Sequence, residues 1–197
     1  MSGVVVRPGL PGDADAVAAV CRATANAGEP QPPDVTDPSL VELVYARPYL
    51  ALEPATARVL LDGAQVTGYV VGALVSHMFY RRWQTEWAPV HLPRPEGADP
   101  GLVRLMREPL VALPPGVDDY PSHLHINLLP NARGGGRGLA LLESFAAGLR
   151  AAGSPGIHLR VDAANVAAIG FYERAGFRLL TDGATRTMVR RLSRSRG

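Results

Sequence analysis

The chain has 197 residues, 47% of them hydrophobic and 19% charged, and its formal net charge at pH 7 is only +2. This length and composition suffice for one sizeable core, so we predict a single domain over residues 1–197. The charge is too small to indicate a nucleic-acid partner. The sequence also lacks the run of about 18 apolar residues that a membrane helix requires, so no membrane partner is expected.

The N-terminal part alternates between strand and helix patterns. Its predicted elements, in chain order, are a strand ending at Arg7, a helix over 14–26, a proline-rich connection over 28–38, a helix over 39–46, and a hairpin of 57–61 and 65–74 with its turn at Asp62-Gly63. Cys21, the single cysteine, lies beside Val17 and Val20 and is predicted to be a buried helix residue rather than a nucleophile. One cysteine allows no intramolecular disulfide, and the first residues lack a signal-peptide pattern, so we expect a cytoplasmic protein.

Residues 76–121 form a connection that is too long for an ordinary loop, and connections of this length usually carry structure or function of their own. A short helix is predicted near 102–107. The segment also holds four large aromatic residues, Phe79, Tyr80, Trp83 and Trp87. Their side chains either form a wall over a bound acceptor molecule or pack the segment onto the sheet or onto a second subunit.

A strand, a glycine-rich loop and a helix follow this segment. Residues 122–129 alternate apolar and polar side chains, which is the period of a strand, and an apolar helical face is then predicted from Leu139, Leu142, Ala146 and Leu149. Between them lies Arg133-Gly134-Gly135-Gly136-Arg137-Gly138. The unpaired N–H groups of a helix N-terminus attract anions, and glycines permit close approach. The loop therefore predicts a phosphate site.

The spacing of the loop separates three kinds of phosphate site. Gly138 is followed by Leu139, where nucleotide triphosphatases need the lysine of Gly-Lys-Ser/Thr. The dinucleotide pattern G-x-G-x-x-G fails too, because its third glycine would fall on Leu139 or Leu141. Arg133, Gly136 and Gly138 do match Arg/Gln-x-x-Gly-x-Gly/Ala. The loop thus resembles the pyrophosphate loop of the GNAT acetyltransferases, which bind acetyl-CoA.

A second motif follows a further predicted strand at 157–162. The residues that match Asn-x-x-Ala-x-x-Phe-Tyr-x-x-x-Gly-Phe are Asn165, Ala168, Phe171, Tyr172, Gly176 and Phe177. Ala168, Phe171 and Ala175 share one helical face, Gly176 is a natural helix end, and Phe177 restarts a strand. This stretch resembles the second GNAT motif and lies at the usual separation from the first.

Together the two motifs imply the fold and cofactor of a GNAT N-acetyltransferase. The implied α/β fold has a central mixed, mostly antiparallel sheet with helices on both faces, and its two parallel central strands splay apart. The implied reaction is direct transfer of an acetyl group from acetyl-CoA to an amine, without a metal. The residues that the resemblance assigns to the cofactor are Leu128, Leu129, Arg133, Gly134, Gly135, Gly136, Arg137, Gly138, Leu139, Asn165, Ala168, Phe171 and Tyr172.

Some of these residues have structural alternatives. Asn165 either hydrogen-bonds the cofactor or caps the helix that follows it. Tyr172 is assigned as the acid that protonates the departing thiolate, and its alternative is a tyrosine packed beside Phe171 for burial alone. Arg133 and Arg137 either touch phosphate oxygens or only solvate the loop.

The general base is open between histidines and carboxylates. His123 and His125 lie two apart, hence on one face of their strand, and imidazole has a suitable pKa for a base. Their alternative is a structural or merely polar role. Glu86, Asp118 and Asp119 in the long connection are further candidates.

The central part of the chain adds a narrower resemblance. Residues 47–54, 66–73, 87–89 and 120–125 are similar to the acetyltransferase-like C-terminal domain of O-GlcNAcases and to its free-standing bacterial relatives. The animal domain is regarded as a pseudo-acetyltransferase, so a catalytically silent acyl-CoA-binding or protein-interaction module is the alternative function. The acceptor stays open among histone-like peptides, small amines, aminoglycosides and amino sugars, and a homodimer is an open arrangement.

Overall fold

The computed structural model describes residues 4–31, 37–91 and 99–192. Its strands are β1 Val4–Pro8, β2 Arg58–Asp62, β3 Gln65–Ala73, β4 Ser122–Leu128, β5 Gly156–Asp162, β6 Arg178–Thr181 and β7 Thr185–Arg191. They form one seven-stranded sheet in the order β1-β2-β3-β4-β5-β7-β6. Every neighbouring pair is antiparallel except β4 and β5, which are parallel. The predicted mixed, mostly antiparallel sheet is confirmed.

Helices cover both faces of this sheet. They are α1 Ala14–Ala23, α2 Leu40–Tyr45, α3 Arg47–Leu52, α4 Ser76–Arg82, α5 Ala88–His91, α6 Pro100–Arg107, α7 Arg137–Ala151 and α8 Val166–Arg174. Because side chains alternate along a strand, β3 contributes buried side chains to both faces of the sheet. Its Tyr69 and Val71 pack into one buried cluster with α1–α4, and its Val70 packs into a second cluster with α7 and α8. No helix in the described ranges is long and apolar enough to cross a membrane.

The parallel strands part soon after they begin. β4 and β5 pair only through Ser122 with Ile157 and His123 with His158. From Leu124 onward β4 is hydrogen-bonded to β3 alone, so its other edge has no strand partner among the described residues. The splay that the family resemblance implies is therefore present, and it opens beside the glycine loop.

The N-terminal predictions need two corrections. The helix predicted over 14–26 ends at Ala23, because Thr24 Oγ1 turns back to the Val20 carbonyl, 2.7 Å away, and Ala27 adopts a φ of 50° that a helix cannot continue. The helix predicted over 39–46 is α2, but a separate helix, α3, follows it without having been predicted. Ala46, with φ −137° and ψ −66°, breaks the two apart. The connection over 28–38 lies partly outside the described residues.

The long connection is mostly helical. The predicted helix near 102–107 is α6, which starts at Pro100 because the Asp99 carboxylate caps the Leu102 N–H at 2.8 Å. A π-helical turn, Trp83–Trp87, joins α4 to α5. The four aromatic residues of the segment are all buried in the cluster beneath α1–α4, so the segment packs onto the sheet. Two of them, Tyr80 and Trp83, also line a cavity along the sheet.

The hairpin predictions differ in outcome. The hairpin of β2 and β3 is confirmed, with bounds within a residue or so of the prediction. Phe177 does restart a strand, since β6 begins at Arg178, but its partner β7 was not predicted. The dipeptide Asp182-Gly183 between β6 and β7 is a local turn signal that the predictions missed. β7 also pairs with β5, and that long-range pairing leaves no local signal in the sequence.

Candidate active site

One cavity of about 1400 Å³ follows the splay between β4 and β5. Its wall runs from the glycine loop, past α8, to the histidines of β4 and the helices of the long connection. The residues assigned to the cofactor all line this cavity except Leu129 and Gly135, and so do the two candidate histidines. The tertiary structure thus brings together two motifs and a pair of histidines that were predicted separately.

The glycine loop exposes a row of backbone donors at one end of the cavity. Gly134, Gly135 and Gly136 all adopt left-handed φ angles, of 80°, 59° and 75°, which side chains disfavour. Gly136 is the N-cap residue of α7. The N–H groups of the three glycines, of Gly138 and of Leu139 donate to no acceptor in the described residues. With the positive end of the α7 dipole, this row can hold a diphosphate.

Gly138 lies at a close contact between two helices and has no left-handed backbone angle. A Cβ at this position would lie 3.3 Å from Cε2 of Phe171, tighter than ordinary van der Waals contact. α7 and α8 therefore approach each other closely at the cavity wall. This contact joins the first GNAT-like motif to the second.

Two arginines brace the loop. Arg133 Nε donates to the Leu128 carbonyl at 3.2 Å, and its guanidinium also donates to the Gly28 carbonyl. Arg137 Nη1 donates to the Asn131 carbonyl at 3.3 Å. Both arginines line the cavity, but their hydrogen bonds go to the protein: to backbone carbonyls and, for Arg133 Nη1, also to the Glu29 carboxylate at 3.5 Å.

The leucines beside the loop differ in role. Leu128 lines the cavity, whereas the Leu129 N–H is already bonded to the Thr67 carbonyl at 2.9 Å. Leu139 was predicted on the buried face of α7, and that prediction is wrong: it is 41% exposed and lines the cavity. Leu142, Ala146 and Leu149 are buried as predicted, and Leu141 and Phe145 complete the buried face. Leu139 differs because the first turn of α7 faces the splay.

α8 presents Asn165 and Tyr172 to the cavity. Asn165 Oδ1 accepts from the Ala168 N–H at 3.1 Å, so the helix-cap alternative is realised. Tyr172 is only 9% exposed, and its hydroxyl hydrogen-bonds to no described residue. Burial raises the pKa of Tyr172 to about 12, so the phenol keeps its proton at neutral pH. A protonated hydroxyl without a protein partner is a suitable donor to a bound molecule.

The two strand histidines share one partner. His123 and His125 lie on the same face of β4, as predicted, and the Tyr49 hydroxyl is 2.9 Å from Nε2 of each. His123 Nδ1 is in turn 2.7 Å from Ser76 Oγ. Sequence reasoning missed Tyr49 and Ser76. They come from α3 and α4, far from β4 along the chain, and carry no motif of their own.

These histidines are neutral at pH 7. Burial, with a smaller contribution from His158, lowers the pKa of His125 to about 4. Burial also lowers the pKa of His123 well below its ordinary value, and the two neighbouring histidines add to the effect. Neutral imidazoles have a lone pair to offer, so they can accept a proton or a hydrogen bond.

The carboxylates considered as bases lie elsewhere. Glu86 is exposed and paired with Arg82 at 2.8 Å, and Asp119 is paired with Arg191 at 2.9 Å. Asp118 is exposed, and none of the three lines the cavity. Cys21 is 1% exposed on α1, as predicted, and burial raises the pKa of its thiol.

The cavity wall is basic. In the described part of the chain its acidic lining residue is Asp162, against five arginines: Arg104, Arg133, Arg137, Arg160 and Arg174. Arg160 lies on β5, and no described acidic group pairs with it. Burial raises the pKa of Tyr45, and the nearby Arg160 guanidinium opposes that rise. Arg160 therefore stands at the aromatic end of the cavity.

Comparison with known proteins places the chain in one family. The sequence model of the acetyltransferase (GNAT) family matches residues 29–177. The crystal structure of SsHAT superposes with a TM-score of 0.91 at 38% identity, over 97% of this chain and 99% of that one. The PaiA N-acetyltransferase of Thermoplasma acidophilum, solved with coenzyme A, superposes with a TM-score of 0.61 at 14% identity, over 96% of this chain and 99% of that one. The Drosophila melanogaster polyamine N-acetyltransferase superposes with a TM-score of 0.66 at 20% identity, over 96% of this chain and 100% of that one.

Proposed function

This chain belongs to the GNAT acetyltransferase family, and from that membership we propose that it transfers the acetyl group of acetyl-CoA to an amine. The observation that carries the proposal is a single cavity that joins a row of free N–H donors to a tyrosine hydroxyl and two neutral histidines. A diphosphate needs the first of these features, and acyl transfer to an amine needs the others.

The loop and the splayed strand hold the CoA. The N–H groups of Gly134, Gly136, Gly138 and Leu139 bind the diphosphate, and the neighbouring Arg133 and Arg137 add positive charge. The free edge of β4, up to Leu128, pairs with the amide groups of the pantetheine arm as an added strand would. Asn165, Ala168 and Phe171 form the opposite wall.

Two side chains carry the proton transfers. Acetyl-CoA supplies the acetyl group as a thioester. As the amine nitrogen bonds to the acetyl carbon and the carbon–sulfur bond breaks, Tyr172 gives its proton to the sulfur. His125 accepts the proton that the amine nitrogen loses. The free thiol has a pKa of about 8.5, so a donor within reach lowers the cost of its departure.

The acceptor end of the cavity favours an amine without further positive charge. Tyr45, Tyr49, Tyr80 and Trp83 give that end an aromatic wall, and Arg160 adds a cation. A polyamine or a basic peptide would need acidic partners, and Asp162 is the acidic residue that the described lining provides. We therefore propose a neutral amine or one that carries an anionic group, such as a carboxylate or a phosphate.

The test is a paired binding and turnover experiment. Calorimetry measures acetyl-CoA binding, and release of CoA thiol is followed over a panel of amines matched in size but differing in net charge. Amine-dependent thiol release above background hydrolysis supports the enzyme. Binding without turnover of any amine would favour the catalytically silent acyl-CoA-binding module instead. Absence of binding would rule out the enzyme and leave the protein-interaction module.

A further inference from the structure

We propose that Ser76, His123 and Tyr49 form a hydrogen-bond chain with one fixed direction, and that this chain leaves Nδ1 of His125 as the atom that accepts the proton from the amine. The inference rests on the acetyl transfer proposed above. It adds three positioning residues and identifies which nitrogen of the base reacts. The direction of these hydrogen bonds is set by one backbone carbonyl that accepts from Ser76, the first residue of the hydrogen-bond chain.

That carbonyl belongs to Pro121. Ser76 Oγ lies 2.6 Å from the Pro121 oxygen. A carbonyl oxygen only accepts, and two oxygens this close repel unless a proton lies between them, so the hydroxyl proton of Ser76 is used here. Ser76 Oγ can then only accept from His123 Nδ1, which lies 2.7 Å away. His123 Nδ1 therefore carries a proton.

Neutral His123 has no second ring proton to give. Because burial holds its pKa well below 6.5, its Nε2 is a lone pair and must accept. Two hydroxyls are near that atom: Tyr49 Oη at 2.9 Å and Tyr80 Oη at 3.4 Å. The shorter contact identifies Tyr49 as the principal donor.

Tyr49 also fixes the direction of its hydrogen bond with His125. Its single hydroxyl proton goes to His123, and burial raises its pKa, so the phenol stays protonated. The Tyr49 oxygen must then accept from His125 Nε2, which lies 2.9 Å away. The Tyr49 ring is stacked on Phe79, with ring centres 4.5 Å apart and planes at 12°, and this holds the hydroxyl between the two histidines.

His125 is left with one lone pair, on Nδ1. No described residue hydrogen-bonds to that atom, and the half-buried ring lines the cavity. When Nδ1 takes the amine proton, the electron pair of the broken N–H bond stays on the amine nitrogen, and the imidazolium keeps its Nε2–H bond to Tyr49. The proton then leaves Nδ1 to water, and the chain returns to its starting state.

The direct test is the tautomer of each histidine, observed by long-range proton–nitrogen NMR correlation on the protein labelled at its histidine nitrogens. Neutral His123 should carry its proton on Nδ1, and neutral His125 should carry its proton on Nε2. A His125 protonated on Nδ1 would overturn the proposal. The spectrum needs no acetyl-CoA, so this result is independent of whether the protein acetylates an amine.

Two matched variants then test the consequence for catalysis. Tyr49→Phe keeps the ring that stacks on Phe79 and removes only the hydroxyl. We expect kcat to fall by about 5- to 10²-fold, the cost of one buried hydrogen bond, with an unchanged KM for acetyl-CoA and a loss of the single His125 tautomer. Tyr120→Phe removes a buried hydroxyl that lies outside the cavity and accepts from Arg178 at 2.7 Å, so it should change kcat by less than about 2-fold. Equal kcat losses in both variants, or no loss in Tyr49→Phe, would contradict the chain.

Discussion

The two ends of the cavity are built from different atoms. At the loop end, the cavity is lined by residues of one short segment, and the backbone N–H groups of Gly134, Gly136, Gly138 and Leu139 donate to no acceptor in the described residues. At the acceptor end, the site consists of side chains from α2, α3, α4, β4 and β5, which lie far apart in the chain. A site made of backbone atoms depends on a local conformation, whereas a site made of side chains depends on the packing of several elements.

This difference determines how substitutions at each end of the cavity affect function. A single residue that cannot adopt a left-handed angle distorts the whole row of loop donors. At the acceptor end, removal of one group weakens one interaction and leaves the others in place. Substitutions in the loop should therefore abolish function, whereas substitutions at the acceptor end should reduce it by an amount that depends on the group removed.

The largest expected effect is at Gly136. Gly136→Glu places a side chain at a φ of 75° and a negative charge beside the diphosphate, so acetyl-CoA binding should be lost in calorimetry. Gly153→Glu is the matched control, since Gly153 has a φ of 88°, equally open surroundings and a place at the other end of α7. It should bind as the parent does. Equal affinities of the two variants for acetyl-CoA would show that the loop does not bind the cofactor.

Tyr172→Phe should affect chemistry without affecting binding. Loss of the donor hydroxyl is expected to lower kcat by about 10²–10³-fold, while the Kd for acetyl-CoA stays unchanged. Tyr120→Phe removes a buried hydroxyl that accepts from Arg178 at 2.7 Å outside the cavity, and should leave kcat unchanged. If Tyr172→Phe turned over at the parental rate, the burial-only alternative would be correct.

His125→Ala probes the base on the other side of the reacting atoms. We expect kcat to fall by about 10²–10⁴-fold, the usual contribution of a positioned base. His77→Ala, an exchange on the exposed side of α4, is the matched control. An unchanged kcat with a productive amine would eliminate His125.

Arg160→Gln tests the charge of the acceptor and should have a graded effect. For an anionic acceptor, loss of one partly exposed ion pair is worth about 1 kcal/mol, which raises KM about 5-fold. Arg81→Gln, an exposed arginine outside the cavity, should leave KM unchanged. A larger preference of the parent for polyamines than for anionic amines would contradict the basic acceptor end.

The smallest effect concerns stability at acidic pH. Burial lowers the pKa of His123, His125 and His158 in the folded protein, so the unfolded chain binds more protons as the pH falls below about 6.5. The free energy of unfolding should therefore decrease between about pH 6.5 and pH 4 and be steady above this range. His158→Asn keeps a donor for the Tyr120 carbonyl and should lessen the decrease, as measured by urea unfolding. A pH-independent free energy across this range would contradict the burial of these groups as neutral imidazoles.

The fold could be predicted where the pattern was local. The period-2 alternation of β4, the glycine spacing of the loop and the helical face of α8 all lie within short segments, and the structure confirms them. The predictions failed where contacts across the fold decide. Ala46 separates α2 from α3, and β7 pairs with β5 although α8 and β6 lie between them in the sequence.

The candidate site divides in the same way. The sequence by itself determined the glycine loop, Asn165 and Tyr172, because a backbone cradle and a helix face follow from residue spacing. Only the tertiary structure decided what surrounds the histidines. Hydrogen bonds join Ser76 to His123, His123 to Tyr49 and Tyr49 to His125, and their direction is set by the carbonyl of Pro121. Hydrogen bonds between distant elements exist only after those elements have packed, and no spacing in the chain encodes them.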